Sequence, residues 1–525
     1  MQTADRAPLS TYTVKLLNAR VYFRRPVAVL GVFLLAHMVI WTLTPLLVHT
    51  GMPMDVVEGY AIGREWVIGT FKHPAMPSWL LEISRIVTRN VGWPAYLLSS
   101  LCIVATYVFV FLLAREMLDI RRAVASALLL SGVLYFSWVS PEFNHNVLQM
   151  PLWAGVIFAL WRARETGSNG WWALVGALAA AGLYAKFSTA VLLLVVLAYM
   201  LLDAKCREQL GRTGPWVALA VFCVLMTPLV NWLVDTQFLL LDYAEARATR
   251  GRAGSVLLFL WKQIASSAGL LLLLALASLH RPWKLPLKRI TRPQPALEIS
   301  ADADRFIQTF FWGPIALMAF GALFTGVGLK GAWGTSILSL AGIAAIIAAG
   351  KLQIALALHR ITAGAILLLA VIPAGYAASV KLSDRFSKSP PRVAWPQDEI
   401  ARRLQKIWRQ RTGMPLRIVA GDLWIGGMVA AKSPDRPSLL IDGDLARSPW
   451  LTSAMIEKHG ALIVAWWRQP MASPLQFPHV KALGVEGTEI FHVNFGRQGR
   501  DLPVYYAIVP PGTKMKTRAS TLVRP

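Results

Sequence analysis

Residues 27–79 read VAVLGVFLLAHMVIWTLTPLLVHTGMPMDVVEGYAIGREWVIGTFKHPAMPSW. The opening run, 27–49, is apolar and long enough to cross a bilayer, which takes about 20 residues. The stretch after it, 54–79, is dense in chemistry: Asp55, Glu58, Arg64, Glu65, Lys72 and His73, with Trp66 and Trp79. A connector between two spans needs no such groups. The pair of segments predicts a polytopic α-helical membrane protein with a functional polar loop beside its first span.

Composition agrees. The chain has 525 residues, 55% of them hydrophobic and only 15% charged, against about 25% charged in an ordinary soluble domain. The net charge of +25 is spread over short loops between apolar runs. It forms no single stripe, so nucleic acid is not the expected partner. Basic loops on a membrane protein report topology and attraction to anionic lipid. Cys102, Cys206 and Cys223 fall in or beside apolar runs, at spacings of neither a disulfide framework nor a zinc site. Arg20, Arg24 and Arg25 precede the first span and no small-residue cleavage pattern follows it, which reads as a retained signal anchor.

Further spans are expected near 94–114, 123–140, 147–163, 171–186, 188–203, 215–235, 255–278, 306–327, 333–349 and 361–380, about eleven with the first. The connectors 115–122, 162–170, 203–214 and 280–305 are rich in Lys and Arg, whereas 141–146 has none. The positive-inside rule then puts the N-terminus in the cytoplasm and the first loop, 49–93, outside. An odd span count leaves the C-terminus outside. After about Val380 the composition changes. A Pro- and cation-rich linker precedes a helical pattern at 398–411 and short apolar runs at 417–420, 438–441, 461–466 and 504–509. Residues 1–380 are therefore read as the transmembrane domain and 381–525 as a small α/β domain outside the membrane. Residues 421–427 contain glycines but lack a nucleotide-binding context, and a turn is the better reading.

Several constellations can carry chemistry. Asp55 and Glu58, three apart, share a helix face, where one carboxylate can act as base while the other orients a partner. Ordinary acidic residues at a helix start are the plainer alternative. Lys72 and His73, stiffened by Pro74 and Pro77, can hold a phosphate, or can be an interfacial turn with a snorkelling lysine. Asn144, His145 and Asn146, with Glu142, can hydrogen-bond a hydroxyl-rich ligand. Lys186 interrupts an apolar region, and ionisable groups at membrane depth are functional candidates. In the loop 235–255, Tyr243, Arg247 and Arg250 offer contacts to an anion. No cofactor is demanded, and a divalent metal is left open.

Taken together the pieces resemble family 39 glycosyltransferases, C-type membrane enzymes that include protein O-mannosyltransferases and lipid A aminoarabinose transferases. Asp55-x-x-Glu58, Gly63-x-x-Trp66-x-x-Gly69, Lys72-His73-Pro74 and Pro77 resemble the family's first outer loop. Phe143-Asn144-His145-Asn146 with Pro151-Leu152-Trp153 resembles its second. Tyr184-Ala185-Lys186-Phe187-Ser188-Thr189 is similar to its Lys-Tyr-Ser/Thr step. Gly421-Asp422-x-Trp424 and Asp435-Arg436-Pro437 resemble its extracytoplasmic domain. The resemblance implies a polyprenyl-phosphate sugar as donor and inverting transfer to a cell-envelope acceptor such as a glycolipid, lipopolysaccharide or polysaccharide. It further implies a bacterial inner membrane with the C-terminal domain in the periplasm. Asp55 matches the catalytic carboxylate, with Glu58 beside it. Lys72, His73, Lys186, Arg247 and Arg250 become donor-phosphate candidates. Trp66, Asn144, His145, Asn146 and Tyr243 become substrate contacts. The family's acidic-basic-Pro-Pro motif reads Lys72-His73-Pro74-Ala75 here, so either cation can take the phosphate, and a metal site using the missing carboxylate does not carry over. A non-enzymatic lipid or polysaccharide transporter is the alternative, although no internal repeat supports it.

Overall fold

The computed structural model describes residues 25–239, 253–279, 299–386, 391–466, 488–495 and 499–513. The long helices are α1 (Pro26–Val48), α4 (Trp93–Met117), α6 (His145–Thr166), α7 (Asn169–Ala185), α10 (Thr213–Asp235), α13 (Ala301–Thr325) and α15 (Leu358–Phe386). Between them lie α2 (Met54–Gly63), α3 (Met76–Thr88), α5 (Ile120–Leu129), α8 (Thr189–Leu202), α9 (Ala204–Leu210), α11 (Ala253–Ser266), α12 (Ala268–Ser278) and α14 (Ala341–Lys351). Five of the described helices are long and apolar enough to cross a membrane, or up to seven if each of two bent pairs is one span. The five coincide with the spans expected at 28–48, 94–114, 215–235, 306–327 and 361–380. The bent pairs are α8 with α9, at 89°, and α11 with α12, at 49°. The expected spans at 147–163 and 171–186 are the helices α6 and α7, and 123–140 and 333–349 are short helices joined to 3₁₀ turns. Large apolar side chains such as Leu47, Leu202, Val224 and Phe324 point outward. A patch of that extent is tolerable in lipid, and the chain is a multi-pass membrane protein.

Helix packing is close where side chains are small. A Cβ at Gly176 of α7 would stand 2.2 Å from the Ala218 carbonyl of α10. At one end of the bundle the guanidinium of Arg164 on α6 is fully buried. It donates to both Asp203 carboxylate oxygens (2.9 Å each) and to Asp302 (2.6 Å). This ties α6 to the starts of α9 and α13.

The C-terminal part continues with α16 (Gln397–Thr412), β1 (Ile418–Gly421), α17 (Ile425–Lys432), β2 (Ser438–Ile441), α18 (Ser453–His459), β3 (Ala461–Trp466), β4 (Glu489–Phe495) and β5 (Arg500–Val509). Strand order is β2-β1-β3-β5-β4. β1 pairs in parallel with β2 and β3, while β5 pairs antiparallel with β3 and β4. The period-two alternation sorts the strands onto two cores. Ile418, Ala420, Leu440 and Ile463 pack with Ile456 of α18. Val419, Leu439 and Val464 pack with Leu404 and Met428, in a core that also holds Val57 of α2. The expected strands are all present. β4 was not expected, because its polar His492 and Asn494 alternate along a sheet edge and leave no apolar run. The turn expected over 421–427 is corrected in part. It ends at Trp424, where Asp422 accepts from the Trp424 and Ile425 N–H groups and starts α17.

Removing Arg164 takes the shared guanidinium from two half-buried carboxylates. Arg164→Ala is expected to lower unfolding free energy by about 1–3 kcal/mol, read from denaturation in detergent. A change below about 1 kcal/mol would show that the cluster is not structural.

Candidate active site

α2 starts at Met54 directly after Pro53, in the short segment following α1. Asp55 falls in its first turn and Glu58 one turn later. The other groups come from three connections. The first is the turn before α3. Thr70 organises it: its N–H donates to the His73 carbonyl (2.9 Å), and its hydroxyl accepts from the Lys72 and His73 N–H groups at 3.2 and 3.3 Å. Pro74 then pairs with Gly69, and Ala75 N–H closes onto the Ile68 carbonyl (2.9 Å). This hairpin-like turn aims Lys72 back at α2, where its Nζ meets Glu58 Oε2 at 2.7 Å.

The second connection is 141–144. Asn144 is the N-cap of α6: its Oδ1 accepts from Asn146 N–H (2.9 Å) and Val147 N–H (3.2 Å). Its other end, Nδ2, donates to Asp55 Oδ2 at 3.0 Å. Glu142 accepts from the Asp55 N–H at 3.2 Å. Desolvation, then the adjacent Asp55 charge, push the Glu142 carboxyl up to about 7, while the Asp55 N–H and Arg392 oppose this. The third connection is the break between α7 and α8. Lys186 sits there in extended backbone (φ −166°), and its Nζ donates to Asn146 Oδ1 at 2.6 Å.

These groups meet around one cavity of about 1290 Å³. Asp55, Glu58, Lys72, His73, Asn144, His145, Asn146 and Lys186 all line it. The rings of His73 and His145 lie 4.2 Å apart. Burial, and then the neighbouring His73, Lys186 and Lys72, hold His145 well below the usual histidine range. The opposite wall is apolar and comes from Val191 and Leu194 of α8, Leu233 of α10, and Leu317 and Met318 of α13. Lys330, in the segment after α13, adds a further cation to the lining.

Not every expected residue arrives. Trp66 is 49% exposed, at φ 51°, and does not line the cavity. Tyr243, Arg247 and Arg250 lie outside the described residues. Sequence reasoning missed Thr70, Lys330 and the pairing of Glu142 with Asp55. Only Thr70 carried a readable signal, as a hydroxyl two residues before Lys-His-Pro. Among the described residues no group of three or more His, Cys, Asp and Glu is placed to hold a metal ion.

Fold and cavity define a membrane protein with a charged site on one side of an apolar-walled chamber. Residues 72–232 match the family model described as dolichyl-phosphate-mannose-protein mannosyltransferase. No curated protein sequence matches the chain. Among solved structures, ArnT from Cupriavidus metallidurans in the apo state is similar with a TM-score of 0.57 at 13% identity. That match covers 91% of this chain and 97% of that one. ArnT from the same organism bound to undecaprenyl phosphate is similar with a TM-score of 0.52 at 15% identity, over 90% and 97% of the two chains. The chain has the C-type glycosyltransferase fold.

Asn144→Ala removes a helix cap and the donor to Asp55 together. It is expected to cost about 1 kcal/mol of stability, whereas Asn144→Ser keeps the cap without adding a charge beside Asp55. Thermal denaturation of both variants checks this, and equal loss in the two would contradict the capping role.

Proposed function

We propose that the chain is an integral membrane glycosyltransferase. It transfers a sugar from a polyprenyl-phosphate donor to a hydroxyl of a cell-envelope acceptor, a glycolipid, lipopolysaccharide or polysaccharide. One observation carries the reading: a single cavity joins a carboxylate pair, a cluster of cations and an apolar wall. Those are the three chemistries that a nucleophile, a phosphate and a polyprenyl chain require. The resemblance of residues 72–232 to a family acting with dolichyl phosphate mannose supports it, as does a fold shared with a protein that binds undecaprenyl phosphate.

The reaction is one displacement. Asp55, held by Asn144, takes the proton of the acceptor hydroxyl as its oxygen attacks the anomeric carbon. The bond from that carbon to the phosphate oxygen breaks, and its electron pair leaves with the polyprenyl phosphate. Lys186 and His73 stabilise the departing charge, and Lys72 shares itself between Glu58 and the phosphate. Attack opposite the leaving group inverts the anomeric centre. The polyprenyl chain lies along α8, α10 and α13. In this reading the site lies on the outer face of a bacterial inner membrane, with the N-terminus cytoplasmic and the C-terminal domain periplasmic; the Lys/Arg-rich connectors 115–122, 162–170, 203–214 and 280–305 support that orientation.

Purified protein assayed with a panel of polyprenyl-phosphate sugars and envelope acceptors tests the reading. Asp55→Asn is expected to lower transfer about 10²–10⁴-fold, and Lys186→Met to weaken undecaprenyl phosphate binding about tenfold or more. Undiminished transfer by Asp55→Asn would sink the catalytic assignment.

Glu142 gives the pH dependence a sign. With its carboxyl at about 7, Glu142 loses its proton as pH rises through neutrality. The new charge lies beside Asp55, where the acceptor hydroxyl gives up its proton. The rate is expected to climb between about pH 6 and 8 and to be flat there in Glu142→Gln. A step that persists in the variant would assign the titration elsewhere.

A further inference from the structure

Asp435-Arg436-Pro437 leads into β2, and its two charged residues face opposite ways. Asp435 turns into its own unit, accepting from Arg409 Nη2 (2.6 Å) and from the Leu416 N–H (2.9 Å). Arg436 reaches out. Its Nη2 donates to Glu82 Oε2 of α3 at 2.7 Å and to the Tyr60 carbonyl of α2 at 3.1 Å. Its Nη1 donates to the Ala431 carbonyl of α17 at 3.1 Å. Glu82 is 4% exposed and also takes two hydrogen bonds from Arg85, at 2.9 and 2.7 Å. A single guanidinium fork therefore joins three helices.

The backbone pays for this placement. Arg436 has φ 49°, in the left-handed region, and stands directly before a proline. Its own N–H closes a turn onto the Ser433 carbonyl at 2.9 Å, and its side chain makes the three bonds above. α2 is also gripped along its length. A Cβ added at Gly427 of α17 would meet Val57 at 3.2 Å. Before α2, Gln397 of α16 accepts from the Met52 N–H (2.9 Å) and donates to the Met52 carbonyl (2.8 Å). Arg436 does not line the cavity. Its reach to the site runs through the helix that carries Asp55 and Glu58.

We propose that Arg436 is a positioning residue for the transfer reaction. By holding the Tyr60 carbonyl and Glu82 in one fork, it fixes α2 so that Asp55 and Glu58 meet the cavity in register with Lys72 and Asn144. The C-terminal domain is thereby part of the catalytic apparatus. This rests on the transfer reading above. A lysine at 436 supplies a point charge for Glu82 but no second donor fixed in plane for the Tyr60 carbonyl.

Two variants of the full chain separate positioning from stability. Arg436→Lys keeps the ion pair and loses the tether. It is expected to keep its melting temperature and its affinity for undecaprenyl phosphate within about twofold, while kcat falls about tenfold. Glu82→Gln keeps the bond to Tyr60 and loses a buried charge pair. It is expected to melt earlier with kcat within about threefold of wild type. Wild-type kcat in Arg436→Lys, or kcat following melting temperature in both variants, overturns the proposal. Hydrogen exchange of 54–63 reads the tether without any activity: faster exchange in Arg436→Lys is expected, and unchanged exchange overturns it. Should Asp55→Asn prove fully active, the transfer reading fails while this exchange result still judges the tether.

Discussion

A ten-residue helix does not hold itself together in water, and α2 is one. Every residue from Val56 to Gly63 is buried. Helix α3 lies against Gly59 and Gly63, so closely that a Cβ at Gly63 would stand 2.3 Å from the Ser78 carbonyl. Helix α17 covers Val57, and the 141–144 connector closes over Asp55. The remaining structure depends on this enclosure. The bundle supplies one side, the C-terminal sheet unit supplies another, and the two carboxylates line the cavity.

The enclosure also sets the electrostatics. Glu58 would be expensive to bury alone, and Lys72 neutralises it at 2.7 Å. Asp55 accepts from the neutral amide of Asn144, while Glu142 sits beside it and resists ionising. The two carboxylates on one helix face thus differ in role because of their neighbours. Glu58 organises a cation, and Asp55 is held by Asn144 at the cavity. Lys72, His73 and Lys186 line the same cavity, so an arriving phosphate finds basic groups already assembled.

Much of this was legible in the sequence. Long apolar runs fixed the class, and the loop 54–79 stood out because its charges had no business in a connector. Asp55 and Glu58 were found by spacing, and Lys72, His73, Asn144 and Asn146 by resemblance and residue type. Their convergence was not readable. It depends on a single asparagine both capping α6 and holding Asp55, a contact between residues 89 apart in sequence. The Arg436 fork spans 376 residues to Tyr60, and no periodicity foretells such a contact. Trp66 illustrates the opposite error. It belongs to the matching motif, yet a left-handed backbone turns it away from the cavity. β4 escaped notice because an edge strand has one wet face and shows only alternation.

The central claim is that one chamber holds the lipid-phosphate and places it against α2. Photolabelling with an undecaprenyl phosphate analogue carrying a diazirine near the phosphate, followed by peptide mapping, tests it most directly. The account predicts labels on 70–75, 144–146 and 186–191, with a diazirine further along the chain labelling α8 and α13, and competition by unmodified undecaprenyl phosphate. Labels confined to the outward-facing lipid surfaces of α1 and α15, insensitive to competitor, would contradict it.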